Sequence, residues 1–145
     1  MSMRDIFYQL GRENALALRE TAHAMTGTEI IDREQDAPFF DAKKDYSAYP
    51  VGSPVRDGGQ VWLLIQPHNA ANYSGRPADL RMLWGLAHTT NPEKAKGWVE
   101  PYGMSGIYMK GECYRDAAGI VYRCLTDNTV HTAEAYAQGW EKVKG

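Results

Sequence analysis

The sequence predicts an α+β protein: an N-terminal helix or helix pair, followed by two small antiparallel β modules related by an internal repeat. Three observations carry that prediction. Apolar residues recur at helical spacing over residues 3 to 25. From Tyr49 onward the chain changes to short β-favouring runs separated by glycine-bearing turns. One ordered set, made of tyrosine, glycine, arginine-aspartate, valine-aromatic and a closing tryptophan, then occurs twice.

In the helical lead, Met3, Phe7, Leu10, Leu18 and Met25 fall near one stripe, with Arg4, Arg12, Glu13, Arg19 and Glu20 mostly on the other sides. Asn14 interrupts the stripe, either as an exposed residue on a slightly rotated face or as a register-setting polar residue at a helical seam. Thr26-Gly27-Thr28-Glu29 is a break followed by a capping-box pattern, so a short second helix is expected to about Gln35. Ala37-Pro38 ends the helical region, because the residue before proline is pushed out of α geometry. Lys43 to Tyr49 reads as a polar connector whose tyrosines lie against something.

Tyr49-x-x-Gly52 matches Tyr108-x-x-Gly111, and Arg56-Asp57 matches Arg115-Asp116 at an offset of 59 positions (115 − 56). After the turn, Val61-Trp62 matches Val121-Tyr122 at 60 positions (121 − 61). Asp57-Gly58-Gly59 suits a three-residue hairpin loop, and Asp116-Ala117-Ala118-Gly119 supplies an Asx start and a left-handed glycine. The units close at Trp84 and Trp140. The expected organisation is a helical segment over 1–45, a first β unit over 46–90 and a second over 91–145.

In the second hairpin, Lys110 to Arg115 and Ile120 to Leu125 are the strand runs, covered on one face by Trp98, Tyr108, Tyr122 and Trp140. Pairing Arg115 with Ile120 places Cys113 opposite Tyr122 and Cys124 diagonally beside it, about 7–8 Å away. That separation is too large for a relaxed disulfide, so two buried thiols are expected.

The chain resembles the chitin-binding type 3 modules, carbohydrate-binding module families 5 and 12, in the form appended to tail proteins of bacteriophages and prophages. The residues that carry the resemblance are Trp98-Val99-Glu100-Pro101, Tyr108-x-x-Gly111, Val121-Tyr122, Asp127-Asn128-x-Val130 and Gly139-Trp140, with Gln66-Pro67-His68 and the Tyr73 to Pro77 loop in the first unit. It covers roughly residues 46 to 143, and the lead ending in Phe39-Phe40 is similar to the segment that precedes such a module. It implies a tail-associated protein that binds a glycan at a cell surface without catalysis, or a structural adaptor of a tail that binds protein and no sugar. The implied partners are a chitin-like or cell-wall polysaccharide, other tail proteins and further copies of the chain, with the helical stripe as the place for assembly.

Such modules present flat aromatic faces to sugar rings. The family's cellulose-binding branch has an adjacent aromatic pair after the second strand, where this chain has Gln66-Pro67 and Thr126-Asp127. The tryptophan of the chitin-binding branch aligns at about Tyr73 and His131. The resemblance therefore points to Tyr73 as the main platform and His131 as its weakened counterpart, with Tyr102 and Tyr136 as further exposed aromatics.

Catalysis finds little support in the sequence. Glu112 and Glu134 could be imagined as a glycosidase pair, but Glu112 is expected as a solvated charge on a strand, pointing away from the aromatic face. Gly103-Met104-Ser105-Gly106 lacks the strand-turn-helix setting of a nucleophile elbow. His23, His68, His88 and His131 are too scattered for a metal cluster, and no cofactor is expected.

At 145 residues and 16.2 kDa, with 43% hydrophobic residues, the chain is long enough for one ordinary domain or two small ones. A net charge of −2 without a basic block gives nucleic acid or an anionic membrane no footprint. No apolar window reaches the roughly 18 residues of a membrane span, and no signal peptide is read at the N-terminus. Synthesis in the host cytoplasm and residence in the virion tail are the expected locations.

Overall fold

The computed structural model describes residues 2–144, with the side chains of Phe7, Tyr8 and Lys144 outside that description. Helix α1 runs Met3–Thr21. Its start is fixed by a capping box: Asp5 N–H donates to Ser2 Oγ at 3.1 Å, and Ser2 N–H donates to the Asp5 carboxylate at 3.3 Å. The helix expected to reach residue 25 stops at Thr21, and one 3₁₀ turn, Ala22–Ala24, carries the chain round. The expected second capping box opens α2, Gly27–Asp32, with Glu29 N–H donating to Thr26 Oγ1 at 3.2 Å and Thr26 N–H to Glu29 Oε1 at 3.1 Å. A 3₁₀ turn over Glu34–Asp36 follows, and Ala37 is extended before Pro38.

The helical stripe is buried only toward its C-terminal end. Leu18 is buried and Met25 is half-buried, whereas Met3 and Leu10 are exposed; Phe7's side chain lies outside the described residues. Asn14 is exposed.

The first sheet is antiparallel, ordered β1 (Pro54–Asp57), β2 (Gln60–Leu64), β3 (Trp84–Leu86). The β1–β2 loop is shorter than the expected three residues. Asp57 pairs with Gln60, leaving Gly58 and Gly59 with φ of 60° and 78°. Only a two-residue turn with both residues left-handed matches the strand twist here, and two glycines adopt it without strain. One face of this sheet packs Val55, Trp62, Leu64 and Trp84 against Phe40 and Tyr46. The other face packs Val61 and Ala87 against Ala22, Ile30 and Ile31 of the helical lead. The first sheet's core thus draws on Phe40 and on Tyr46 of the polar connector.

The second sheet is mixed, where an antiparallel one was expected. Its order is β4 (Lys96–Gly97), β5 (Cys113–Arg115), β6 (Val121–Cys124), β7 (Trp140–Lys144), and β4 runs parallel to β5. The hairpin register is one residue from the expected one: Arg115 pairs with Val121, Tyr114 with Tyr122 and Cys113 with Arg123. Asp116 explains the shift. Its Oδ1 accepts from both Ala118 and Ile120 N–H at 2.9 Å, so Ile120 belongs to the turn.

A one-residue slip exchanges faces. Cys113 packs with Ala95 and Val121 on one side of the sheet, while Cys124 packs with Tyr108, Tyr114 and Trp140 on the other. Both thiols are free and buried as expected, but because they lie on opposite faces. The same slip puts Tyr114 into the aromatic core and leaves Tyr122 at its edge.

The two sheets share several details. Gly52 and Gly111 have φ of 94° and 93°, and donate to Leu64 O at 2.7 Å and Cys124 O at 2.8 Å. Leu64 pairs with Trp84 and Cys124 with Trp140. Tyr46 and Tyr108 each meet their closing tryptophan edge-on at 5.2 Å, so Tyr46 rather than Tyr49 fills the first core.

The join between the units is tied to the helical lead. Thr90 N–H donates to Thr28 Oγ1 at 2.8 Å, Lys94 Nζ to Asp32 O at 3.2 Å, and Lys96 Nζ pairs with Glu34 at 2.5 Å. His88 stacks on Tyr108 at 3.7 Å with its Nδ1 3.2 Å from Glu112 Oε1. Glu112 is therefore not the solvated strand charge that was expected: it also accepts from Met109 N–H at 2.7 Å. Strand β5 begins only at Cys113, which frees Glu112 to turn toward the junction.

Candidate functional site: an aromatic groove on the second sheet

Across the second sheet, antiparallel pairing sets Tyr114, Tyr122 and Lys142 side by side on one face, from β5, β6 and β7 in turn. Trp140, at the start of β7, stands edge-on to Tyr114 at 4.8 Å. Trp98, just past β4, stacks on Tyr108 at 5.1 Å. Opposite this floor, the segment Thr132 to Ala137 forms a wall. It is held down by Tyr114, whose hydroxyl accepts from Ala133 N–H at 2.9 Å, and by Trp140, whose Nε1–H donates to His131 O at 2.8 Å. The result is an open groove of about 900 Å³, with Trp98, Tyr114, Tyr122 and Trp140 as its aromatic lining and Asp116, Thr132, Glu134 and Lys142 among its polar lining.

Hydrogen bonding within the protein satisfies the polar ends of Trp98, Tyr114 and Trp140. Trp98 Nε1–H donates to Glu100 Oε1 at 2.7 Å. What the groove offers a ligand is therefore ring surface, and Tyr122 and Trp98 are the half-exposed members. Lys142 and Glu134 make no ion pair among the described residues, so an ammonium and a carboxylate remain to orient hydroxyl groups. Burial pushes the Tyr114 phenol above its usual range, and that of Tyr108 beneath it further. Both stay neutral at physiological pH.

The aromatics that the resemblance singled out do not gather. Tyr73 is 45% exposed on the first unit, edge-on to His68 at 5.3 Å. His131 is exposed at the foot of the groove wall and contributes its carbonyl to Trp140. Tyr136 covers Gly139, where a Cβ would lie 2.6 Å from its ring. Tyr102, 52% exposed, sits in a tight turn closed by paired backbone bonds with Ser105. None of the four lines the groove. Sequence reasoning placed Trp98, Tyr122 and Trp140 in the core and did not see the row ending in Lys142, because that row needs both β7 and the correct hairpin register.

Glu112 and Glu134 line different cavities, so these two carboxylates do not face one cleft. Among the described residues, no group of three or more His, Cys, Asp or Glu could hold a metal ion, and no helix is long and apolar enough to cross a membrane. A scan against protein-family models matches none of them, and a search of the curated proteins returns no match.

Proposed function

We propose that this chain is a non-catalytic glycan-binding protein, associated with a phage or prophage tail, that engages a cell-surface polysaccharide through the aromatic groove of its second sheet. The observation that carries the reading is the groove's composition: a half-exposed tyrosine and tryptophan backed by buried rings, with Lys142 and Glu134, which make no ion pair among the described residues, in its lining. Pyranose rings have apolar faces edged by hydroxyl groups, which suits that surface. The matching positions of Gly52 and Gly111 and of the closing tryptophans support descent of both units from one carbohydrate-binding-type module. Tyr73 is then a second, smaller platform, His131 and Tyr136 flank the groove wall, and Tyr102 is a separate exposed ring.

Binding by one shallow site is weak, so presentation in several copies on a tail gives the useful avidity. The test is retention on insoluble chitin and on peptidoglycan, with Tyr122→Ala and Tyr73→Ala beside the parent. The reading expects the parent to be retained on at least one polysaccharide and Tyr122→Ala to lose most of that retention. Retention of none of them on either material removes it.

The second reading is a structural adaptor of the tail that binds protein and no sugar. One observation favours it. A cavity of about 460 Å³ at the first sheet is lined by Val51, Ile65, Leu86, Met104, Ile107 and Met109, several of them exposed, and an apolar surface of this kind suits a protein partner. Absence of polysaccharide retention leaves this reading standing.

A further inference from the structure

We propose that the N-terminal half of α1 pairs in parallel with the same segment of a second copy of this chain. The helix runs 19 residues, yet its only buried residue among those described is Leu18. A helical segment of about 12 residues without packing is marginal in water. Its side toward the body is accounted for: Gln9, Arg12, Glu13 and Leu16 line a cleft shared with Phe39 and Tyr49. Met3, Ile6 and Leu10 are 63%, 43% and 50% exposed and do not line that cleft.

The sequence spacing identifies the occupant. Met3, Phe7, Leu10, Asn14 and Ala17 are separated alternately by four and three positions, the spacing of a two-helix seam. Asn14 is the polar member. An amide carries a donor and an acceptor, so it bonds best to its own copy across a two-fold axis, and only parallel pairing sets Asn14 opposite Asn14. Gly11 fits the same arrangement. Among the described residues, the helix's own backbone apart, nothing lies within 4 Å of where its Cβ would be, so no described contact needs the missing side chain. In the parallel seam the flank carrying Gly11 faces the flank carrying Ile6 of the other helix, and the exposed isoleucine fills the gap that glycine leaves. The seam is short, so the pair forms in the micromolar rather than the nanomolar range. It also places the two copies' sheets at the same end of the helix pair.

The test is sedimentation of the full chain from about 5 to about 500 μM, with Leu10→Glu as the comparison and near-ultraviolet circular dichroism to report the aromatic cores. The parent is expected to shift from monomer to dimer, and Leu10→Glu to weaken association at least about tenfold with an unchanged aromatic spectrum. A third protein, Met3→Cys, is expected to form an intermolecular disulfide under mild oxidation, because parallel pairing puts the two new thiols together. A parent that stays monomeric at the highest concentration overturns the proposal. So does a dimer that persists in Leu10→Glu, and so does a dimer in which Met3→Cys fails to cross-link.

Discussion

Tyr46, Tyr108 and Tyr114 are held neutral by burial, which raises each phenol above its ordinary range. A phenol harder to ionise in the folded state leaves the unfolded chain binding fewer protons above pH about 10, so stability falls as pH rises from there. Absorbance at 295 nm should therefore show Tyr46, Tyr108 and Tyr114 ionising only in the unfolding step. The cysteines behave in a parallel way. Both are buried, and burial pushes the Cys113 thiol up, so a thiol reagent should label neither until denaturant is added. Which aromatics form the cores was largely legible at this scale, since Trp84, Trp140 and Tyr108 are all buried as their clustering implied. Tyr114 was missed because its face depends on one residue of register, and Asp116 sets that register through a turn longer than its glycine suggested.

At the scale of elements, local chemistry was the best guide. The Thr26 to Glu29 capping box, the stop before Pro38 and the Asx turn at Asp116 all appear where their residues called for them. Asp116→Ala should cost about 1–2 kcal/mol, because two backbone N–H groups lose their shared acceptor; the loss is read as a lower midpoint in urea. Elements held by distant contacts were not legible. Strand β4 has two residues and exists only through its parallel pairing with β5, which no local pattern announces. The seating of α2 was equally hidden. Gly27 approaches the segment after β3 so closely that a Cβ there would lie 2.3 Å from the His88 carbonyl oxygen. Gly27→Ala should accordingly destabilise the protein by about 2–3 kcal/mol, although helix propensity alone would favour alanine, and a thermal melt measures it.

At the scale of the whole molecule, a three-stranded antiparallel sheet and a four-stranded mixed sheet follow one helical lead, and the candidate site lies on the second of them. The groove was illegible in the sequence for a physical reason. It consists of the rim of an aromatic core, and whether a ring in such a core is covered or half-open depends on a third strand and on a wall folded back from Thr132 to Ala137. Glycan binding in this groove is tested by titrating the labelled chain with a soluble chito-oligosaccharide and with peptidoglycan glycan strands, followed by backbone and indole NMR shifts. Of the four tryptophans, the indole of Trp98 should move most, together with the amides of Tyr122, Glu134 and Lys142. No shift with either glycan, or shifts confined to residues outside the groove, would contradict it.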